Sequence, residues 1–236
     1  MQSNSFNKFA GWSAIVSAIL FMLSIFGMMQ YLEGNLEIVP SFLKNMTDHK
    51  GSMLLYGWPG LLATVLMLPL FYASHLRNFS RTDISKSIFL MSQIGIVFVL
   101  VGYLFNLALT YFHSAIYQTL ETDLQRAFDA VVQTNIGIQD MFWLVGDLFA
   151  FLGIALLVLL NWKESNTPKW LILWVAISGS SAAVGSFSFI PAFKNNMVLG
   201  LMFLVGFSLY ALWQILMGVH LIRFKNQNEH YANATT

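Results

Sequence analysis

The chain has 236 residues, of which 57% are apolar and only 10% carry a charge. Soluble domains contain roughly 25% charged residues, so this composition excludes an ordinary water-soluble globular protein. The net charge of +1 lacks the basic excess that nucleic-acid binding requires, and the absence of cysteine excludes disulfides, thiolate metal sites and a cysteine nucleophile.

Six stretches of the sequence are each long enough to cross a bilayer. About 20 apolar residues in a helix span a hydrocarbon core about 30 Å thick. None of the stretches alternates with the period of two that a barrel strand requires, so all six are predicted to be helical. The predicted fold is all-α, with one membrane domain over residues 1–225 and a polar cytoplasmic tail over 226–236. The predicted spans cover 10–31, 53–75, 88–113, 141–161, 170–190 and 198–222.

The distribution of basic residues predicts how the bundle is oriented. Eight of the twelve lysines and arginines lie on the side that holds both chain ends. Cytoplasmic loops carry the excess of these residues in membrane proteins. Both termini are therefore predicted to be cytoplasmic in a cell membrane, and the opposite face is predicted to be net negative.

An amphipathic extracytoplasmic helix is predicted between the third and fourth spans. Its apolar residues recur at helical spacing. They are Leu120, Leu124, Ala127, Phe128, Val131 and Val132. The segment Thr134-Asn135-Ile136-Gly137 predicts the end of this helix. Three placements stay open: on the bilayer surface, as an outward continuation of the third span, or as a lid over the outer mouth of the bundle.

Asp147 is the one charged residue inside the predicted spans. An ionised carboxylate near mid-bilayer carries an insertion penalty of roughly 2.5–3.5 kcal/mol, so some compensating interaction is required. Asp140, Trp143 and Asp147 follow one another at offsets of 0, 3 and 7, which places them on one inward-facing helix face. Binding of a proton or a cationic group is one interpretation, and a structural hydrogen bond between helices is the other.

A second polar stripe runs along the third span, and its members share one helix face. They are Tyr103, Asn106, Thr110, His113 and Tyr117. The third and fourth spans run in opposite directions, so the two stripes reach the same outer half of the bundle. The candidate ligand-binding residues are Asp147, Asp140, Trp143, Asn106, Thr110, His113 and Tyr103. A purely structural polar seam is the alternative interpretation.

The sequence contains no motif for a metal site, a nucleophilic serine or a phosphate-binding loop. It contains no His-Glu-x-x-His spacing, no Gly-x-Ser-x-Gly elbow and no phosphate-binding glycine loop. Catalysis is therefore not favoured, and any cofactor stays unknown. The serine- and glycine-rich run over 178–186 in the fifth span is typical of close helix packing.

One part of the chain resembles a known group of proteins. Residues 143–160 form a glycine-containing apolar helix, Thr167-Pro168-Lys169-Trp170-Leu171 form a short loop with a Pro-basic-apolar step, and a small-residue span follows. This order is similar to that in a group of bacterial multi-span membrane proteins of unknown function. The resemblance implies an uncharacterised family and carries over no activity and no site residue.

The favoured hypothesis is an outward-facing polar pocket formed by spans three, four and five. In it Asp147 binds a proton or cation, Asn106, Thr110 and His113 orient the ligand, and the amphipathic helix gates access. The expected partners are the bilayer and a small molecule or cation, and a homo-oligomer or partner subunit is left open. The first alternative is a non-catalytic membrane subunit with a structural polar seam. The second is an intramembrane hydrolase that pairs His113 with Asp140 or Asp147 and needs a metal.

Overall fold

The computed structural model describes residues 4–33, 42–77, 83–160, 162–163, 167–193 and 196–223, which form helices and connecting turns without a strand. The α-helices are α1 Asn4–Glu33, α2 Phe42–Asp48, α3 Lys50–Arg77, α4 Asp83–Ala108, α5 Ser114–Thr119, α6 Thr122–Asp147, α7 Gly153–Leu160, α8 Lys169–Gly185 and α9 Met197–Arg223. Two π-helical segments, Leu109–His113 and Leu148–Leu152, join α4 to α5 and α6 to α7, and 3-10 turns at Ser186–Phe189 and Pro191–Phe193 follow α8.

Within the described ranges, six helical units are long and apolar enough to cross a membrane, as the composition predicts. This is the architecture of a multi-pass membrane protein. The third unit, Asp83–Thr119, has 37 residues, and the fourth, Thr122–Leu160, has 39. At about 1.5 Å per residue, both are nearly twice as long as a hydrocarbon core about 30 Å thick, so part of each lies beyond the core. We call the end of the bundle at which α5 and α6 meet the hairpin end.

The amphipathic segment between the third and fourth spans is the first half of α6. The predicted helix end at 134–137 is wrong, because α6 runs through these residues without interruption. One glycine inside a helix costs only about 1 kcal/mol relative to alanine. The helical residues on both sides of Gly137 outweigh this cost, because a helix that has already formed is extended cooperatively. The segment therefore extends the fourth span and not the third. Within its apolar stripe, Val132 is buried and Phe128 packs beside it, whereas Leu124 and Val131 are exposed.

Replacing Gly137 with alanine tests this continuous helix. Nothing lies within 4 Å of a Cβ built on Gly137, so the added methyl group meets open space. We expect the free energy of unfolding to rise by about 0.5–1 kcal/mol, because alanine loses less backbone entropy in a helix than glycine does. Thermal unfolding in mild detergent, followed by circular dichroism, measures the change. A lower stability would mean that Gly137 terminates the helix.

Glycines bring the spanning helices into backbone contact at several crossings. A Cβ on Gly11 of α1 would lie 2.6 Å from the carbonyl oxygen of Gly218 of α9, and the reverse distance is the same. In α8, the Ser181 hydroxyl donates to the carbonyl oxygen of Met202 of α9 at 3.0 Å. A Cβ on Gly206 of α9 would in turn overlap the backbone of α8. The small residues of the fifth span therefore pack against the sixth, as such runs do in membrane proteins.

Candidate functional site

A cavity of about 40 Å³ lies inside the half of the bundle nearer the hairpin end. Its volume exceeds the roughly 10–15 Å³ that one water molecule needs. Each of the six spanning units contributes at least one lining residue. The lining residues are Ser24, Ile25, Met28, Tyr56, Tyr103, Trp143, Asp147, Phe189, Phe203, Leu204 and Phe207.

Asp147 is the one charged residue in this lining among the residues that the structure describes. Its side chain is only 2% exposed, and its Oδ2 atom is buried without a hydrogen-bond partner in the described part of the chain. Asp147 is the last residue of α6, and the π-helical segment begins at the next position. π-helical turns of this kind recur at functional sites. The carboxylate thus faces the cavity, and its Oδ2 atom is able to accept a further hydrogen bond.

Three aromatic rings form one wall of the cavity, and we call them the tyrosine–tryptophan cluster: Tyr56, Tyr103 and Trp143. The Tyr103 and Trp143 rings meet edge to face, with centroids 4.5 Å apart, and Tyr56 lies 5.5 Å and 6.2 Å from them. Two glycines make room for this arrangement. A Cβ on Gly60 would overlap the Tyr103 ring, and a Cβ on Gly102 would lie 2.9 Å from the Trp143 ring.

Three more aromatic rings line the cavity, and we call them the phenylalanine cluster: Phe189, Phe203 and Phe207. Neighbouring centroids within this cluster are 5.1 Å and 5.6 Å apart. Ser24 of α1 is a polar member of the lining, and its hydroxyl donates to the carbonyl oxygen of Tyr56 at 2.7 Å. The Tyr103 hydroxyl lies close to Ser24. The polar side chains of the cavity are therefore one carboxylate and a few hydroxyls among aromatic rings.

An aromatic layer lies next to the cavity, on its side away from the hairpin end. The Phe207 ring packs edge-on against Phe21 at 5.0 Å and against Phe151 at 5.6 Å. Phe151 contacts Tyr210 at 4.8 Å in the same geometry. Phe21, Phe151 and Tyr210 are all buried. Offset and edge-to-face pairs of this kind are favourable beyond the apolar area they bury, so the layer is well packed.

Three of the seven predicted site residues meet on the cavity: Tyr103, Trp143 and Asp147. Asp140 shares their helix, is half-buried and lies within electrostatic range of Tyr56, but it does not line the cavity. Of the three residues predicted at offsets of 0, 3 and 7, Trp143 and Asp147 therefore line the cavity and Asp140 does not.

The remaining three predicted residues lie elsewhere on the third span and make local contacts. The Thr110 hydroxyl donates to the carbonyl oxygen of Asn106 at 2.8 Å, and His113 Nδ1 lies 3.4 Å from the carbonyl oxygen of Ala108. The His113 ring stacks on Phe128. The π-helical segment Leu109–His113 shifts the register by about one residue, so regular helix offsets no longer describe one face there. Their role in ligand binding stays a prediction.

The sequence reasoning missed most of the cavity wall. It assigned the pocket to spans three, four and five, whereas all six spanning units line the cavity. Tyr56 stands before Gly57-Trp58-Pro59, a segment typical of a membrane interface. The phenylalanines carry no signal that separates them from lipid-facing residues. Only the contacts between helices identify them.

No group of three or more histidine, aspartate or glutamate side chains is placed to hold a metal ion within the described ranges. His113 does not line the cavity that holds Asp147, so the structure does not bring together that pair of the hydrolase alternative. No protein-family model, curated protein or solved structure matches the chain. The function is therefore argued from the geometry of the cavity.

Proposed function

We propose that the cavity binds a small positively charged species at Asp147 and that it does so from the extracytoplasmic side of a cell membrane. The observation that carries this proposal is a buried carboxylate oxygen without a partner in the described chain, on a cavity of about 40 Å³. A carboxylate removed from water is unfavourable unless a counter-charge is supplied. A bound cation or proton supplies that charge.

The direction of access follows from two features. Among the described residues, the excess of lysine and arginine lies at the end opposite the hairpin, which favours that end as cytoplasmic. The aromatic layer of Phe21, Phe151, Phe207 and Tyr210 separates the cavity from that end. These two features support the proposal that the cavity is outward-facing in this conformation. Binding of this kind serves transport as well as sensing, and transport requires the aromatic layer to rearrange.

Single introduced cysteines test the proposal without further changes, because the chain has no cysteine of its own. Ser24→Cys places a thiol in the cavity. Ser17→Cys is the matched control, because Ser17 lies two turns earlier on α1, is buried and donates its hydroxyl to the carbonyl oxygen of Ala63 at 2.8 Å. The reagents are a cationic aminoethyl thiosulfonate and its anionic sulfonatoethyl counterpart, added outside intact cells.

We expect Ser24→Cys to react faster than Ser17→Cys and to prefer the cationic reagent by about tenfold, because the carboxylate attracts positive charge into the cavity. Adding Asp147→Asn to Ser24→Cys is expected to remove the preference. Labelling is measured by mass spectrometry of the intact chain. A Ser24→Cys chain that reacts as slowly as Ser17→Cys, or without charge preference, would overturn the proposal.

A further inference from the structure

The geometry points to an organic ammonium group, and not a bare metal ion, as the species that this cavity takes. The inference rests on the proposed cation binding and names the chemical class of the ligand. It applies equally to an ammonium on a free amine and to one on a lipid headgroup, because both present the same charged group to the cavity.

The side-chain oxygen atoms of the lining are too few to replace the hydration shell of a hard inorganic cation. Such ions prefer about six or more oxygen ligands in a near-spherical shell. Beside the Asp147 carboxylate, the lining side chains supply oxygen only from the hydroxyls of Ser24, Tyr56 and Tyr103. The Ser24 hydroxyl already donates to a backbone carbonyl. An organic ammonium needs one counter-charge for its nitrogen and apolar or aromatic surroundings for its carbon substituents, and this lining contains both.

Aromatic rings line the same cavity as the Asp147 carboxylate, and such rings bind organic cations in proteins. Six of the eleven lining residues are aromatic, and they form two clusters of contacting rings. A cation within about 6 Å of a ring centroid is attracted to the face of the ring, tryptophan being the strongest case. Trp143 is one turn from Asp147 on the same helix, so the best ring and the counter-charge are fixed relative to each other.

The apolar side chains at the edge of the cavity are able to contact the alkyl substituents of such an ammonium. Ile25 and Met28 of α1 and Leu204 of α9 line it and are half-buried. The same two helices are in backbone contact at Gly11 and Gly218, on the other side of the aromatic layer. An alkyl chain attached to the ammonium would therefore lie between the hairpin-end halves of α1 and α9, against aliphatic side chains.

Calorimetric titration of the purified full chain tests the inference. The chain is placed in phosphatidylglycerol nanodiscs and titrated with choline, with the smaller methylammonium, with potassium, and with 3,3-dimethyl-1-butanol, the neutral isostere of choline. We expect one of the two ammonium probes to bind and the neutral isostere to bind at least about tenfold more weakly. We expect Trp143→Leu to weaken ammonium binding about tenfold and Asp147→Asn to abolish it. Trp58→Leu is the control, because Trp58 is outside the cavity and donates to the Tyr111 hydroxyl.

The titration tests the ammonium inference, and the cysteine labelling tests the proposed cation binding, so the two can fail separately. Equal binding of choline and its neutral isostere, displacement of the ammonium by equimolar potassium, or no ammonium binding at all would overturn the inference. The preference of Ser24→Cys for the cationic labelling reagent would then show whether the cavity still binds cations of another kind, as the proposed function states. Nanodiscs of phosphatidylcholine distinguish the two sources. A lipid headgroup as ligand predicts loss of the ammonium response there and retained lipid in native mass spectra, whereas a free amine predicts an unchanged response.

Discussion

Replacing Gly95 with valine is expected to destabilise the protein by about 3 kcal/mol or more, which is near the upper end for overpacked cores. A Cβ on Gly95 of α4 would lie 2.8 Å from the carbonyl oxygen of Gly146 and equally close to the backbone of Phe149. Both groups belong to the backbone of the fourth span, which cannot yield as the end of a flexible side chain can. The third and fourth spans must therefore separate or the chain must bend.

Thermal unfolding in mild detergent measures this effect, and two further variants calibrate it. Gly95→Ala adds the smallest side chain and is expected to fall between the wild type and Gly95→Val. Gly200→Ala in α9 is the matched control, because nothing lies within 4 Å of a Cβ there, and it is expected to leave the unfolding temperature unchanged or slightly raised. A Gly95→Val chain as stable as the wild type would show that the helices do not cross at this point.

The same crossing positions the cavity. Gly146 directly precedes Asp147, and a Cβ on Gly146 would lie 2.9 Å from the backbone nitrogen of Val99 of α4. The place where α6 touches α4 thus fixes the depth and direction of the carboxylate. Gly102, two turns along α4 from Gly95, leaves room for the Trp143 ring. Small residues on α4 therefore determine where both Trp143 and Asp147 stand.

The class of the fold was predictable because the bilayer imposes a length and a polarity on every segment that crosses it. The same physics singled out Asp147, since a charge inside a span is costly and is kept for a reason. Helical spacing then added Trp143, one turn away. These inferences depend on one helix at a time, and that is why the sequence alone was sufficient for them.

The rest of the cavity depends on which helices are neighbours. Tyr56 and Phe207 become wall residues only because α3 and α9 pack beside α6, and no periodicity within either helix carries that information. The π-helical segments also escape periodic reasoning, since they change the register within a helix. His113 shows the consequence, because it follows Tyr103 at a helical offset yet stacks on Phe128.

Asp147→Leu is expected to remove cation binding and to leave the protein as stable as the wild type or more stable by roughly 1–3 kcal/mol. A buried carboxylate oxygen without a partner costs free energy in the folded chain, and leucine removes that cost. The adjoining cavity gives room for the larger side chain. Thermal unfolding and ammonium titration on the same preparations measure the two effects.

Asp129→Leu is the matched control on the same helix. Asp129 is also buried, but it accepts a hydrogen bond from Gln133 Nε2 at 3.5 Å and makes a further contact, so its replacement is expected to destabilise the chain by about 1–3 kcal/mol. If Asp147 instead belongs to a structural polar seam, both leucine variants lower the stability alike. A stable Asp147→Leu chain that has lost binding would mean that the carboxylate is maintained at a cost to the fold, which is expected of a ligand site and not of a helix contact.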